Sequence, residues 1–126
     1  MKKLSSHIEL GKEGEKNAKQ FLENNGYTVL ETNWRFRHKE IDIVCKYENL
    51  LVFVEVKTRT NDFFQKPYDA VEIKKQKLLI DAAEAFVLEY DNFSEIRFDI
   101  ISIVYNNSQV QSIEHIKEAF LPQIND

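Results

Sequence analysis

Asp42, Glu55 and Lys57 are polar residues set inside the most apolar part of the chain, EIDIVCKYENLLVFVEVKTR (residues 40–59). Two hard carboxylates converging on one point suit Mg²⁺ or Mn²⁺, ions that keep water in their remaining positions. A lysine one step away would orient or help deprotonate an attacking water, or neutralise charge developing on a phosphate. Glu15, three residues before Ala18 and seven before Leu22, shares the apolar face of a helix and offers a third carboxylate.

A β-hairpin has to position this set. Side chains alternate across a strand, so Ile41, Ile43, Cys45 and Tyr47 are expected on one face of the second strand, with Glu40, Asp42, Val44 and Lys46 on the other. In the third strand Val52, Val54 and Val56 oppose Leu51, Phe53, Glu55 and Lys57. A turn at Glu48-Asn49 sets Asp42 opposite Glu55, Glu40 opposite Lys57 and Val44 opposite Phe53. The aliphatic faces then coincide too, and a one-residue slip breaks both patterns. Two ionised carboxylates so placed repel, which calls for a positive charge between them. On pattern alone a second reading stays open: a half-exposed ladder of ion pairs, with Lys57 on Glu40 or Glu55 and Asp42 solvated.

The rest of the chain supplies the frame. A helix runs from a cap at Ser5 or Ser6 to about Asn25 and stops at Gly26, with Ala18, Phe21 and Leu22 as its stripe. Gly11 and Gly14 in that helix make sense where something approaches the backbone closely, since each costs about 1 kcal/mol. Residues 27–33 read as a first strand, 40–47 and 50–58 as the hairpin, and 59–69 as a loop broken by Pro67. Leu78, Leu79, Ala82, Ala83, Phe86 and Val87 have helical spacing within residues 70–90. Residues 96–105 and 109–116 read as two more strands around Asn106-Asn107-Ser108. The order α-β-β-β-α-β-β implies a mixed sheet with packed helices, an α/β fold in one domain over residues 1–126.

Composition bounds the function. The net charge of −4 is unevenly spread. Residues 1–80 hold 15 Lys and Arg against 12 Asp and Glu, a net of +3, and residues 81–126 hold 2 against 9, a net of −7. The first part therefore offers a local field to a polyanion. WRFRHK (34–39) interleaves cations with aromatics, which fits a phosphate-gripping, base-stacking edge and equally a strand end with core aromatics and solvated cations. Lys74 and Lys75 are expected on a solvated helix face, and His7 and His115 show no partner. Asp99, inside an apolar strand, is expected to pair with Arg97 or cap a neighbour rather than join the metal site. The single cysteine, Cys45, reads as a buried thiol in a reducing cytosol. Neither a signal peptide nor a membrane-spanning run is legible, so the expectation is a cytoplasmic protein.

The combination GKEGEKNAKQFLENNGYTVLETNWR, EIDIV, VFVEVKTR, Lys77 and RFDII resembles the YraN-like family, over about Gly11 to Ile101. More broadly, D-x12-E-V-K after a helix carrying a glutamate is similar to the PD-(D/E)xK nuclease superfamily. That resemblance implies a restriction-endonuclease-like αβββαβ(β) core and a Mg²⁺- or Mn²⁺-dependent nuclease acting on DNA. By position, Asp42 matches the motif aspartate, Glu55 and Lys57 the E-x-K pair, and Glu15 the first-helix acid of Holliday-junction resolvases. The backbone carbonyl of Val56 is implied as a further metal ligand. Lys77 is implied at the site or on DNA, and Arg35, Arg37, Lys39 and Arg59 are the further phosphate-binding expectations. Lys39 stands where many relatives have glycine. Resolvases act as dimers, which implies a homodimer by analogy. Duplex, branched, single-stranded DNA and RNA stay open as substrates. The alternative is a nucleic-acid-binding module with the nuclease fold and little cleavage, acting through a partner.

Overall fold

Hydrophobic period and turn residues divide the described residues into two helices and five strands. The computed structural model describes residues 7–60, 72–89 and 95–121. In chain order the elements are α1 (His7–Asn24), β1 (Thr28–Phe36), β2 (Lys39–Tyr47), β3 (Leu50–Thr60), α2 (Ile73–Glu89), β4 (Glu95–Asn106) and β5 (Gln109–Phe120). One sheet carries the strands in the order β1-β2-β3-β4-β5. Among the described strands only β3 and β4 are parallel neighbours, and α2 lies between them in the chain. This is the expected mixed α/β architecture. The expected caps Ser5 and Ser6, the helix start at Ala70, and residues 61–69 of the expected loop lie outside the described residues.

The helices cover opposite faces. Leu10, Ala18 and Leu22 of α1 pack with Ile43, Cys45, Val52, Val54, Ile101 and Ile103. Leu79, Ala82, Ala83 and Phe86 of α2 pack with Val44, Leu51, Phe53, Phe98 and Ile100. Phe86 is fully buried and meets Trp34 and Phe53 edge-on. Truncating it to alanine would cost about 3–5 kcal/mol, by lost transfer energy and the cavity left. The chain leaves α1 through Gly26, whose φ of 89° is open to glycine at little cost, while Tyr27 N–H returns to Leu22 O at 3.0 Å.

Gly14 is where α1 touches the sheet. A Cβ there would overlap Thr58 Cγ2, so only glycine lets the helix lie this close to β3. Gly11 has open space around the same position, so the expected close approach holds for Gly14 alone.

The β2–β3 register is the expected one: Val44 opposes Phe53 and Cys45 opposes Val52. The ladder ends at Ile43–Val54, however, so the expected Glu40–Lys57 pairing does not form. Ile41 also departs from expectation, because it packs on the α2 side while Ile43 and Cys45 pack on the α1 side. The alternation breaks at Asp42. On β1 the residue between the partners of Ile43 and Ile41 is Asn33, whose φ is +50°. Asparagine tolerates this left-handed conformation, and such a residue re-aims the side chains that follow it.

Candidate functional site

The site starts where β2 and β3 part. With the ladder ended, the Val56 N–H has no strand partner across the gap, and Asp42 Oδ2 accepts its hydrogen bond at 2.8 Å. A residue's N–H and C=O project to the same edge of a strand, so the Val56 carbonyl faces the same gap. Asp42 also shares a hydrogen bond with the Glu55 carboxyl group. The expected meeting of the two acids therefore holds, although they meet at the end of the ladder rather than as a ladder pair.

Glu55 is 7% exposed, and Asp42 is partly buried. Burial, then the charge of Glu55 and the shared hydrogen bond, push the Asp42 carboxyl up to about 8. The Val56 N–H opposes the shift and the charge of Glu15 adds to it. Two acids in one low-dielectric gap cannot both ionise without a cation. Here one cation comes from α2: Lys75 Nζ forms a salt bridge with Glu55 Oε2.

Lys75 was expected on a solvated face and is exposed there, yet its ammonium reaches the buried Glu55, a partner the sequence reading did not assign. It lies four residues before Leu79, so it extends the stripe Leu79, Ala82, Ala83, Phe86 that faces the sheet. That spacing was the available signal. Lys77, favoured by the family pattern, falls off the stripe and is exposed.

Lys57 is partly buried two residues beyond Glu55, and among the described residues no salt bridge of its ammonium is found. Glu15 is partly buried on α1 and accepts a hydrogen bond from Asn33 Nδ2 at 3.0 Å. That bond ties α1 to the kinked residue of β1 and gives Glu15 a partner on a neighbouring element. Among the described residues no group of three or more His, Cys, Asp or Glu gathers closely enough to hold a metal.

Beside the acids opens a cleft of about 630 Å³, lined among the described residues by Arg37, His38, Lys39, Lys74, Lys75 and Lys77, with the acids Glu72 and Asp81. The β1–β2 turn supplies one wall and the start of α2 the other. Arg37 spans them, lying over the Phe36 ring and reaching Asp81 at 3.9 Å. The WRFRHK alternation is thus resolved: Trp34 and Phe36 stack with each other over the α2-side core, and the cations point outward. Two expected phosphate contacts lie elsewhere. Arg35 is exposed at 3.8 Å from Glu40 and does not line the cleft. Arg59 belongs to β3 rather than to a loop, is partly buried, and is also absent from the cleft wall.

Away from the cleft, Asp99 anchors a buried network. Arg97 donates to both its oxygens at 2.8 and 2.7 Å, His115 Nε2 lies 2.7 Å from Oδ2, and the Glu118 N–H donates to Oδ1 at 3.0 Å. Arg97 also donates to the Tyr27 hydroxyl at 2.7 Å. Burial raises the Asp99 carboxyl, and the bonds from His115, Arg97 and Glu118 outweigh it and leave it below its ordinary value. Glu118, at φ 54°, sits in the irregular stretch that separates the Phe98–Phe120 and Ile100–Ile116 pairs. The expected Arg97 pairing holds, and His115 gains the partner that the sequence did not reveal. Cys45 is buried as expected, with its thiol pushed up to about 12 chiefly by burial.

No described helix is long and apolar enough to cross a membrane. The family model described as "Uncharacterised protein family UPF0102" matches residues 14–103. A protein named UPF0102 from Bacteroides thetaiotaomicron is 45% identical over 121 residues, covering 96% of this chain and 99% of the relative. Another, from Flavobacterium psychrophilum, is 46% identical over 117 residues, covering 93% and 98%. A third, from Natranaerobius thermophilus, is 42% identical over 113 residues, covering 87% and 95%.

Proposed function

Starting from a chain that belongs to the UPF0102 family, also described as YraN-like, we propose that it is a Mg²⁺- or Mn²⁺-dependent nuclease acting on DNA phosphodiester bonds. The observation that carries this reading is the convergence of the Asp42 and Glu55 carboxyl groups where the β2–β3 ladder ends, beside a basic cleft. The resemblance of the element order and of the D…E-x-K pattern to the PD-(D/E)xK superfamily, and of Glu15 to the first-helix acid of Holliday-junction resolvases, supports it.

The donor set fits a hard divalent cation. It offers two carboxylates and a backbone carbonyl, all oxygen, in a largely buried gap where a cation would offset the charge of two neighbouring acids. So few protein ligands suit an ion that keeps several waters. When bound, such an ion supplies an activated water and a Lewis acid for the phosphoryl oxygen. Asp42 and Glu55 would hold it, with the Val56 carbonyl beside them and Glu15 in an outer position. Lys57 would orient the water or donate to a phosphoryl oxygen. Arg37, Lys39 and Lys77 would carry the flanking phosphates along the cleft, fixing register without reading sequence.

The salt bridge of Lys75 on Glu55 favours a second reading, a binding module with little cleavage, because it engages a carboxylate that the chemistry needs. A panel of labelled DNA structures, with RNA alongside, separates the two. Cleavage that requires Mg²⁺ or Mn²⁺ and is lost in Glu55→Gln supports the nuclease. Binding without cleavage by the folded wild type under either metal would falsify it in favour of the second reading.

A further inference from the structure

Lys75 touches both halves of the proposed machinery. Its ammonium forms a salt bridge with Glu55, and its side chain lines the basic cleft. It also borders a small pocket with Phe36, Lys39, Glu40 and Ile41, which lies between β2 and α2. The side chain is 45% exposed, whereas that of Glu55 is 7% exposed. A lysine ammonium is a compact charge on a flexible four-carbon stem, free to change partners while its helix stays docked. Here the helix is held by Leu79, Ala82, Ala83 and Phe86, which do not depend on that ammonium.

We propose that Lys75 is the resident counter-cation of the carboxylate site, displaced into the cleft when a divalent metal ion takes Glu55, so that metal binding and nucleic-acid binding favour each other. This rests on the metal reading of Asp42 and Glu55. An ammonium and a hard divalent ion compete for the same Glu55 oxygen. Once the ion is there, like-charge repulsion drives the ammonium off. The cleft wall it then meets holds Arg37, His38, Lys39, Lys74 and Lys77. Its two acids are Asp81, already facing Arg37, and Glu72. Lys75 already lines that wall, and its ammonium, once released from Glu55, adds an unpaired charge there that is best accommodated by a polyanion. A phosphate bound there draws Lys75 away from Glu55 and frees the oxygen for metal. Linkage makes the two effects equal in size.

The test uses the whole chain and does not depend on turnover. Mn²⁺ affinity is measured by titration calorimetry for wild type, Lys75→Met, Glu55→Gln and Lys46→Met. Lys46 is an exposed β2 lysine whose removal makes the same change in net charge. Lys75→Met keeps the stem and loses the charge, and a partly exposed side chain in the first turn of α2 is not needed for folding. The expected result is Mn²⁺ binding about tenfold tighter in Lys75→Met than in wild type, with Lys46→Met unchanged. The salt slope of oligonucleotide binding, read with a phosphorothioate strand that resists hydrolysis, should steepen by about one phosphate contact when Mn²⁺ is added to wild type. Lys75→Met should lack that increment. Mn²⁺ binding that is unchanged or weaker in Lys75→Met, or an increment that survives in it, overturns the proposal and leaves the metal site standing. No Mn²⁺ uptake by wild type and Lys75→Met, or uptake that persists in Glu55→Gln, overturns both readings together.

Discussion

The carboxylate of Asp42 on β2 closes the gap to β3 by accepting the backbone N–H of Val56 at 2.8 Å. One side chain thus does what a ladder bond would have done, at the point where the two strands separate. The separation lets the Glu55 side chain meet Asp42 directly. It also makes Asp42 a structural bridge and a candidate ligand at once, and the two roles respond differently to substitution.

Asp42→Asn separates them. Asparagine still accepts from Val56 N–H and can donate to Glu55, so it mimics the protonated acid. The Asp42 carboxyl is pushed up to about 8, mainly by burial and then by Glu55. Between its ordinary value near 4 and that raised value, the folded protein holds a proton that the unfolded chain releases. Stability therefore falls as pH rises through this window. Asp42→Asn should raise unfolding stability by about 1–3 kcal/mol near pH 8 and by almost nothing near pH 4. Urea denaturation at both pH values checks it, and an equal effect at the two would remove the electrostatic explanation.

The cleft makes a directional prediction about binding. Lys39→Glu with Lys77→Glu should weaken oligonucleotide binding and flatten the salt dependence by about 0.9 per lost phosphate contact. Arg35→Glu, away from the cleft wall, should change it little. Anisotropy titrations across a salt series would reverse this assignment if Arg35→Glu proved the more damaging.

The contact of α1 with β3 calls for a double-mutant cycle. Gly14→Ala drives a methyl into Thr58 Cγ2 and should destabilise by about 1–3 kcal/mol. Thr58→Ser removes that Cγ2 and should restore most of the loss in the double variant, as a positive coupling between touching residues. Additive losses in thermal melts would mean that the strain lies elsewhere.

Asp99→Asn should be the costliest isosteric change in the chain. It leaves Arg97 and the nearly buried His115 without their carboxylate, at about 3–5 kcal/mol. The Asp99 carboxyl is held below its ordinary value, so its stabilisation is present above the ordinary carboxylate range and fades as pH falls through the lowered value. Denaturation curves should show the gap between wild type and variant narrowing in acid, and a gap that widens there would contradict the assignment.

Much of this molecule is determined by the sequence alone, wherever a pattern is confined to one element or one turn. The period-two alternation on either side of Glu48-Asn49 suffices for the β2–β3 register, because any slip would turn both apolar faces outward. The stripe Ala18, Leu22 and the stop at Gly26 suffice for α1. That register brings Asp42 near Glu55, while their direct contact needs the strands to part beyond Ile43–Val54. Tertiary structure decided the rest. The ladder's early end and the reversal of Ile41 arise with the left-handed Asn33 on a different strand, which no period within β2 can report. Spacing puts Lys75 rather than Lys77 on the stripe of α2, but that its ammonium meets Glu55 depends on where α2 docks on the sheet. His115 meets Asp99 as its diagonal neighbour across the β4–β5 ladder, in which His115 opposes Ile101. Repeat spacing is a property of the chain's own geometry, whereas the partner that a side chain meets across a docked interface is set by how separate elements pack.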